Sequence, residues 1–238
     1  MISLDFTDRT VLVTGASRGI GLAIAQAFSE ANAIVHITGT GPIESYDADL
    51  SAFIYHQVSL GVPEDRQALA AAVGALDVLV NNAAMAGANE YEIGEFEAVI
   101  QVNLIAAADL CFRFKDALAE RKGAIVNVGS LASFISLRRT PAYTASKAGM
   151  LGLTRAMADE WSRLGVRINM VAPGFIETRM NEWARTDENA ERRLVRSIPM
   201  KRLGQPQDVA NAVLFFASPA SAYVTGQSLI IDGGLVLR

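Results

Sequence analysis

Cysteine, histidine and long apolar runs are scarce in this chain, and each scarcity excludes a class of protein. The single cysteine, Cys111, leaves no intrachain disulfide, and its apolar surroundings indicate a small buried hydrophobe. The two histidines, His36 and His56, lie on predicted strands, and no metal site is predicted. No apolar run approaches the roughly 20 residues of a membrane span. Residues Met1 to Arg9 show no signal-peptide pattern.

Positive charge is also in short supply. The chain has 21 Lys and Arg against 25 Asp and Glu, a net charge of −4. Binding to nucleic acid or to an anionic membrane needs clustered positive charge, so we expect neither as a partner. These features predict a cytoplasmic protein that acts on a small molecule.

Apolar segments dominate what is present, since 51% of the 238 residues are hydrophobic. Strand-length apolar runs alternate with longer amphipathic segments, which is typical of β-α units in a parallel sheet. We predict one α/β domain over residues 1–238, with a doubly wound parallel sheet of about seven strands flanked by helices. The predicted strands are Thr10–Thr14, Ile34–Thr38, Phe53–Val58, Asp77–Val80, Ala124–Val128, Arg167–Val171 and Ser228–Ile231. The predicted helices are Ile20–Glu30, Glu64–Val73, Ile93–Ala119, Ala142–Leu164 and Gln207–Ala217.

A serine, a tyrosine and a lysine follow one of these strands: Ser130, Tyr143 and Lys147. Tyr143 and Lys147 are four residues apart, so they share a face if the segment is helical. A free tyrosine titrates near about 10, and a lysine one turn away favours the phenolate. Ser130 can donate a hydrogen bond to a substrate oxygen beside the phenol. The set suits proton transfer at a carbonyl or alcohol oxygen.

Glycines follow the first predicted strand in the pattern G-x-x-x-G-x-G, from Gly15 to Gly21. Glycine lets a backbone approach a pyrophosphate closely, and the following helix offers unpaired N–H groups. Asn82 follows the fourth strand and a Pro-Gly turn begins at Pro173 after the sixth. Asn103 lies in an apolar helix, where a disrupted turn holding a water would satisfy it. The pattern predicts a nucleotide-binding crevice at the carboxyl edge of the sheet.

Seven motifs, in order from Thr14 to Gly234, resemble those of the short-chain dehydrogenases/reductases, in the branch similar to 3-oxoacyl-[acyl-carrier-protein] reductases. They are TGASRGIG, NNAA, VNL around Asn103, GS at Ser130, YTASK, RINMVAPGFIET and TGQSLIIDGG. The resemblance covers nearly the full chain. It implies a Rossmann fold, hydride transfer between C4 of a nicotinamide and a carbonyl carbon, and a homotetramer.

The resemblance also implies the roles of individual residues. Tyr143 would be the acid/base, Lys147 would lower its pKa and hold the cofactor ribose, and Ser130 would orient the carbonyl. Asn103 would support a proton-relay water. The implied cofactor contacts are Gly15, Ser17, Arg18, Gly19, Ile20, Gly21, Gly39, Thr40, Asn82, Ala83, Tyr143, Lys147, Pro173, Gly174, Ile176 and Thr178.

The end of the second strand bears on the choice of cofactor. NAD-specific members of the family carry an aspartate there, which binds the ribose 2′-hydroxyl and repels a 2′-phosphate. Gly39 stands at that position, with Arg18 in the glycine loop and Thr40 as a donor. We expect NADP(H) to be favoured, with NAD(H) as the alternative.

The substrate side of the crevice is predicted to be largely apolar, which indicates a hydrophobic ketone or secondary alcohol. The predicted contacts are Met85, Ser130, Leu131, Phe175, Met180 and Trp183. The arginine-rich segment from about 178 to 202 is predicted to be a substrate lid inserted above the sheet. Arg138 and Arg139 can receive an anionic group, although a solvated or subunit-facing pair is the simpler interpretation.

Two other classes of function fit the same fold. One is a non-redox isomerase or dehalogenase type of enzyme, and the other is a catalytically silent nucleotide-binding scaffold. An intact glycine loop and an intact Ser130, Tyr143 and Lys147 set favour the NAD(P)(H)-dependent oxidoreductase over both.

Overall fold

Seven parallel strands form one sheet, in the order β3-β2-β1-β4-β5-β6-β7. The computed structural model describes residues 4–178 and 188–237. All seven predicted strands are confirmed, with each boundary within two residues of the prediction. The strands are β1 Thr10–Val13, β2 Ile34–Gly39, β3 Ile54–Gln57, β4 Val78–Asn81, β5 Ala124–Val128, β6 Arg167–Pro173 and β7 Ser228–Ile231.

Helices cover both faces of the sheet, because alternate strand residues point to opposite sides. Val11 and Val13 of β1 pack in the cluster that contains the buried faces of α1 and α8, whereas Leu12 packs in the cluster that contains residues of α2, α4, α5 and α6. The doubly wound architecture is therefore confirmed. The helices are α1 Gly19–Glu30, α2 Pro63–Val73, α3 Ile93–Ile100, α4 Ala106–Arg113, α5 Lys115–Arg121, α6 Pro141–Trp161, α7 Glu188–Ser197 and α8 Pro206–Ala217.

The predicted single helix over Ile93–Ala119 is wrong. A π-helical turn at Gln101–Ile105 separates α3 from α4, and a break at Phe114 separates α4 from α5. Phe114 has φ −91° and ψ 2°, outside the helical range. The spacing of apolar residues shows which face of a helix is buried. It does not reveal a π turn, which adds only one residue to a turn.

The segment predicted to be a lid contains α7, and residues 179–187 lie outside the described part. Both sides of this segment are anchored to the same place. The N–H of Glu177 donates to the carbonyl of Gly204 at 2.9 Å, and the N–H of Gly204 donates to the carbonyl of Phe175 at 2.9 Å. Among the described helices, none has the length and apolar character needed to cross a membrane.

The sheet places the motifs together at one edge. β1 lies between β2 and β4, so the chain winds outward in both directions from the β1–β4 pair. In such sheets the crevice lies outside the carboxyl ends of the strands where the winding direction changes. The turns that follow β1, β2, β4, β5 and β6 all open onto this edge.

Candidate active site

The glycine loop packs directly against the end of β4. Gly15 has φ +62°, and a Cβ there would lie 2.8 Å from the Cα of Ala83. A Cβ on Gly21 would lie 2.4 Å from Nδ2 of Asn82. No side chain fits at either position, so the backbone remains bare at the start of α1.

Hydrogen bonds that involve two threonines and one asparagine hold this loop in place. Thr14 Oγ1 accepts from the N–H groups of Asn82 at 3.0 Å and Ala83 at 3.1 Å. Asn82 Nδ2 donates to the carbonyls of Thr14 at 2.9 Å and Gly15 at 3.0 Å. The N–H of Gly15 donates to Thr38 Oγ1 at 2.9 Å. The amide of Asn82 therefore shapes the loop.

The loop leads into α1, which begins at Gly19 with the positive end of its dipole at the crevice. Arg18 precedes the helix and is exposed, so its guanidinium is available to an anion. Bare backbone, a helix N-terminus and a nearby cation are what a pyrophosphate requires. The residues present fit a dinucleotide cofactor.

Two tyrosines occupy the space at the carboxyl end of β2. A Cβ on Gly39 would lie 2.6 Å from the Tyr46 hydroxyl and 2.7 Å from the Tyr55 hydroxyl. The N–H of Gly41 donates to Tyr46 at 2.8 Å, and Tyr55 donates to the carbonyl of Gly41. Tyr46 and Tyr55 therefore fill the space that a side chain at position 39 would occupy.

The hydroxyl of Tyr46 is the centre of a polar cluster on this side of the crevice. Burial raises the pKa of Tyr46, but hydrogen bonds from Tyr55, Gly41, Ser17 and Thr40 outweigh it and hold the pKa below its usual value. Ser17 and Thr40 are both predicted cofactor contacts. The cluster offers several hydroxyl groups next to the glycine loop.

The turn after β6 folds back over the glycine loop. Pro173 is the last residue of β6, and the N–H of Gly174 donates to the carbonyl of Ile231 at 2.9 Å. At the far end of the turn, Thr178 Cγ2 lies 3.4 Å from where a Cβ on Gly19 would stand. The predicted contacts from the first and sixth strands therefore meet.

The serine, tyrosine and lysine set also comes together. Lys147 Nζ lies 5.6 Å from the centroid of the Tyr143 ring, so the two side chains share a face of α6. The hydroxyl of Ser130, at the end of β5, is near enough to the Tyr143 phenol to lower its pKa. Lys147 is 2% exposed and donates to the carbonyl of Val128 at 2.8 Å.

The electrostatics of the phenol are opposite to the expectation from spacing. Burial raises the pKa of Tyr143, the hydrogen bond from Ser130 opposes this, and the negative charge of Glu90 adds to the rise. Burial also lowers the pKa of Lys147 to about 8. Desolvation disfavours the charged form of each group, and here it outweighs the effect of one lysine on its neighbour.

Asn103 lies in the π-helical turn, which is the disrupted helical turn expected there. Its Oδ1 accepts from the N–H of Met85 at 2.8 Å, and its Nδ2 donates to the carbonyl of Met85 at 2.8 Å. Nδ2 also lies 3.2 Å from Ser146 Oγ. The amide therefore fixes the loop after β4, and the π turn presents it there.

The substrate side is apolar where it is described. Leu131 is buried, and Met85 and Phe175 are half-buried. The predicted contacts Met180 and Trp183 lie outside the described residues. Next to the crevice, the loop before α6 exposes three more apolar side chains, which are Phe134, Ile135 and Leu137.

Several residues of this site escaped the sequence analysis. Thr14 and Thr38 end strands beside the glycine loop, and that position was a usable signal. Tyr46 and Tyr55 are brought together only by the fold. Glu90 is 1% exposed and accepts a hydrogen bond from the N–H of Tyr143, although it stands in a polar stretch without a motif.

Three residues lie outside the chemistry, as expected. Burial raises the pKa of the Cys111 thiol to about 12, so it is inert. His36 Nδ1 and His56 Nε2 are 2.9 Å apart across β2 and β3, away from the tyrosine. Within residues 4–178 and 188–237, no group of three or more His, Cys, Asp or Glu is arranged to hold a metal.

Comparison with known proteins matches nearly the whole chain to reductases. A family model described as enoyl-(acyl carrier protein) reductase matches residues 15–236. The chain is 36% identical to a 3-oxoacyl-[acyl-carrier-protein] reductase of Vibrio harveyi, over 98% of this chain and 100% of that protein.

Solved structures agree with the sequence matches. A gluconate 5-dehydrogenase from Burkholderia cenocepacia J2315, in complex with NADP and tartrate, has a TM-score of 0.89 at 30% identity and covers 99% of this chain and 98% of that one. An active-site complex of Pseudomonas aeruginosa RhlG with NADP has a TM-score of 0.88 at 30% identity, over 98% of both chains.

Proposed function

This chain belongs to the short-chain dehydrogenase/reductase family of NAD(P)-dependent oxidoreductases, and we propose that it reduces an apolar ketone to a secondary alcohol with NADPH. The observation that carries the proposal is the placement of the Tyr143 ring 5.6 Å from Nζ of the buried Lys147, beside Ser130 and next to a crevice that fits a dinucleotide. Nothing in the comparisons favours a non-redox enzyme or a silent scaffold.

The proton is the protein's contribution to the reaction. When bound, NADPH supplies a hydride to the carbonyl carbon. Tyr143 donates its proton to the carbonyl oxygen, and Ser130 hydrogen-bonds the same oxygen as negative charge develops. Because burial raises the pKa of Tyr143, the phenol holds its proton at neutral pH and acts as an acid. Lys147, close to the ring, eases the charge left on the phenolate.

The preference for NADPH is supported by the end of β2 and by two structural neighbours. Gly39 presents no carboxylate to a 2′-phosphate, and the Tyr46 cluster offers hydroxyl donors nearby. Arg18 is exposed on the adjoining loop. The gluconate 5-dehydrogenase and RhlG structures both hold NADP.

Two substrate classes follow from the relatives. The similarity to 3-oxoacyl-[acyl-carrier-protein] reductases suggests a ketone on an apolar chain, whereas the similarity to a gluconate 5-dehydrogenase suggests a polar hydroxy acid. Leu131, Met85 and Phe175 are apolar, and the loop before α6 exposes further apolar side chains of its own. These residues favour the apolar ketone.

A homotetramer in the cytoplasm completes the proposal. Two surfaces expose large apolar side chains that would be buried in an assembly. On one, Ile105 is 44% and Phe112 is 57% exposed; on the other, Phe215 is 36% and Leu229 is 43% exposed. Light scattering gives the mass of the assembly, and a fluorescent fusion gives the location.

The decisive experiment combines a substrate panel with one variant. The purified protein is assayed with NADPH or NADH against an acetoacetyl thioester, an aliphatic ketone and a keto sugar acid. We expect the thioester with NADPH to react fastest. Tyr143→Phe should lose about 10²- to 10⁴-fold in turnover while NADPH binding survives.

Each arm can refute one part of the proposal. Tyr223→Phe is the matched control, because Tyr223 is fully exposed. Near-normal turnover of Tyr143→Phe would refute the acid assignment. A preference for NADH would refute the cofactor assignment, and faster turnover of the sugar acid would refute the substrate class.

A further inference from the structure

A buried carboxylate touches the catalytic helix from another part of the chain. Glu90 follows β4 and is 1% exposed. Its Oε2 accepts from the N–H of Tyr143 at 2.9 Å, and its Oε1 accepts from the N–H of Gly87 at 3.0 Å. Glutamate is almost never buried to this degree without partners. One carboxylate oxygen therefore binds the loop after β4 and the other binds the first turn of α6.

The start of α6 has no cap of its own. Thr140 is the N-cap residue but its side chain makes no capping hydrogen bond, and Pro141 has no N–H to donate. Glu90 fills this role from 53 residues earlier in the sequence. A carboxylate at this end of a helix also opposes the positive end of its dipole. The first turn of α6, which carries Tyr143, is therefore held by a remote charge.

The same loop is tied to the catalytic framework at two other points. Asn103 holds both backbone groups of Met85, as described above. The Tyr91 hydroxyl donates to the carbonyl of Arg138 at 2.9 Å, on the loop before α6. Glu90 lies between these two ties, and it alone of the three contacts the tyrosine residue itself.

We propose that Glu90 is a positioning residue for the reduction: it fixes the first turn of α6 so that the phenol stays beside Ser130. Its negative charge also opposes ionisation of that phenol. This inference rests on the proposed role of Tyr143 as the proton donor. It explains why a chain without a local cap on its catalytic helix buries a carboxylate instead.

Among the described residues, few charged groups besides Glu90 lie near the Tyr143 phenol. Burial makes the largest contribution to the raised pKa of Tyr143, and Glu90 is the charged group that raises it further. Lys147 faces the ring from α6, while the turn after β5 and the π turn supply only the neutral Ser130 and Asn103. The other charged side chains of the neighbouring segments 91–97 and 134–140 are exposed, and they are Glu92, Glu95, Glu97, Arg138 and Arg139.

Glu90→Gln tests the inference, because the amide keeps the size but loses the charge and one acceptor. The readout is the pH profile of kcat for reduction with NADPH. The profile should fall off on its basic side at a pH about 0.5 to 1 unit lower than in the wild type, since removing a nearby negative charge makes the phenol more acidic. Turnover should drop severalfold, with the KM for NADPH unchanged.

Glu95→Gln is the matched control. Glu95 is an exposed carboxylate whose Oε2 accepts from the N–H of Ala88 in the same loop at 3.2 Å. Its variant should keep the wild-type profile. A Glu90→Gln profile that coincides with the wild type, or an equal shift in Glu95→Gln, overturns the inference.

Glu90→Asp covers the case in which Glu90→Gln does not fold. It keeps the charge but is one methylene too short for the contact with Tyr143. We expect its profile to stay near the wild type while turnover falls; turnover equal to the wild type overturns the positioning role. Tyr143→Phe, measured in parallel, separates the two proposals, because turnover retained there refutes the acid assignment itself.

Discussion

The two sides of the crevice are built in opposite ways. The cofactor side is made of bare backbone and neutral hydrogen bonds, from Gly15 and Gly21 to Thr14 and Asn82. The catalytic side is made of ionisable groups placed out of water. Lys147 and Glu90 are both buried; Tyr143 shares α6 with Lys147, and its N–H donates to Glu90.

The difference predicts how each side fails. A site defined by the space that glycines leave is destroyed by one methyl group, whatever the pH. A site defined by buried charge changes its activity with pH, and the burial of its charged groups lowers the stability of the protein. The four predictions below test that contrast from the largest effect to the smallest.

Lys147→Met should abolish turnover, by at least about 10³-fold, and yet stabilise the protein without cofactor. The pKa of Lys147 falls from 10.5 to about 8 through burial, so the unfolded chain holds this proton more tightly than the folded one. The resulting penalty is full below pH 8, shrinks as the pH rises to 10.5 and is absent above it. It amounts to about 3 kcal/mol. In the variant the carbonyl of Val128 loses its hydrogen bond from Lys147, which reduces the gain in stability by about 1 to 2 kcal/mol.

Denaturant unfolding at pH 7 and pH 10 measures the difference in unfolding free energy between Lys147→Met and the wild type. Lys115→Met is the control, because Lys115 lies 5.8 Å from the Trp161 ring, away from the crevice. A loss of stability in Lys147→Met that is the same at both pH values would show that burial of the amine is not a cost.

Gly21→Ala should weaken NADPH binding about 100-fold at every pH. The new Cβ would lie 2.4 Å from Asn82 Nδ2 and 2.5 Å from the carbonyl of Gly15, so the loop must move. Calorimetry of NADPH binding measures the change. Gly152→Ala is the control in a second helix: it has nothing within 4 Å of its Cβ and should gain about 0.5–1 kcal/mol of stability. Unchanged binding in Gly21→Ala contradicts the bare-backbone account.

Gly39→Asp should lower kcat/KM with NADPH about tenfold more than with NADH, because a carboxylate repels a 2′-phosphate. Gly39→Ala adds the same crowding against Tyr46 and Tyr55 without the charge, so it should impair both cofactors alike. If both variants change the two cofactors by the same factor, charge at the end of β2 does not choose between them.

The His36 and His56 pair tests buried titration away from the crevice. Burial lowers the pKa of both rings, and for His36 the charge of His56 adds to the effect. The folded protein therefore binds these protons less tightly, so stability is full above about pH 6.5 and falls below it. We expect His56→Gln to reduce the fall in Tm between pH 7 and pH 5 by about 2–4 °C. An unchanged fall would contradict the assignment.

The sequence by itself determined the strands, the doubly wound sheet, the glycine loop and the family. Apolar alternation and glycine spacing involve residues that are close together in the sequence, so they can be recognised without the structure. The π turn was not predicted, because an extra residue in one helical turn leaves the apolar pattern intact. Asn103 was the one residue there that marked it.

Only the tertiary structure decided the electrostatics of the site. The sign of the pKa shift of Tyr143 depends on burial and on Glu90, which is 53 residues away in the chain. The pairing of Tyr46 with Tyr55 at Gly39 likewise arises from packing between separate elements. Desolvation is a property of the folded surroundings, so no spacing of residues along the chain can report it.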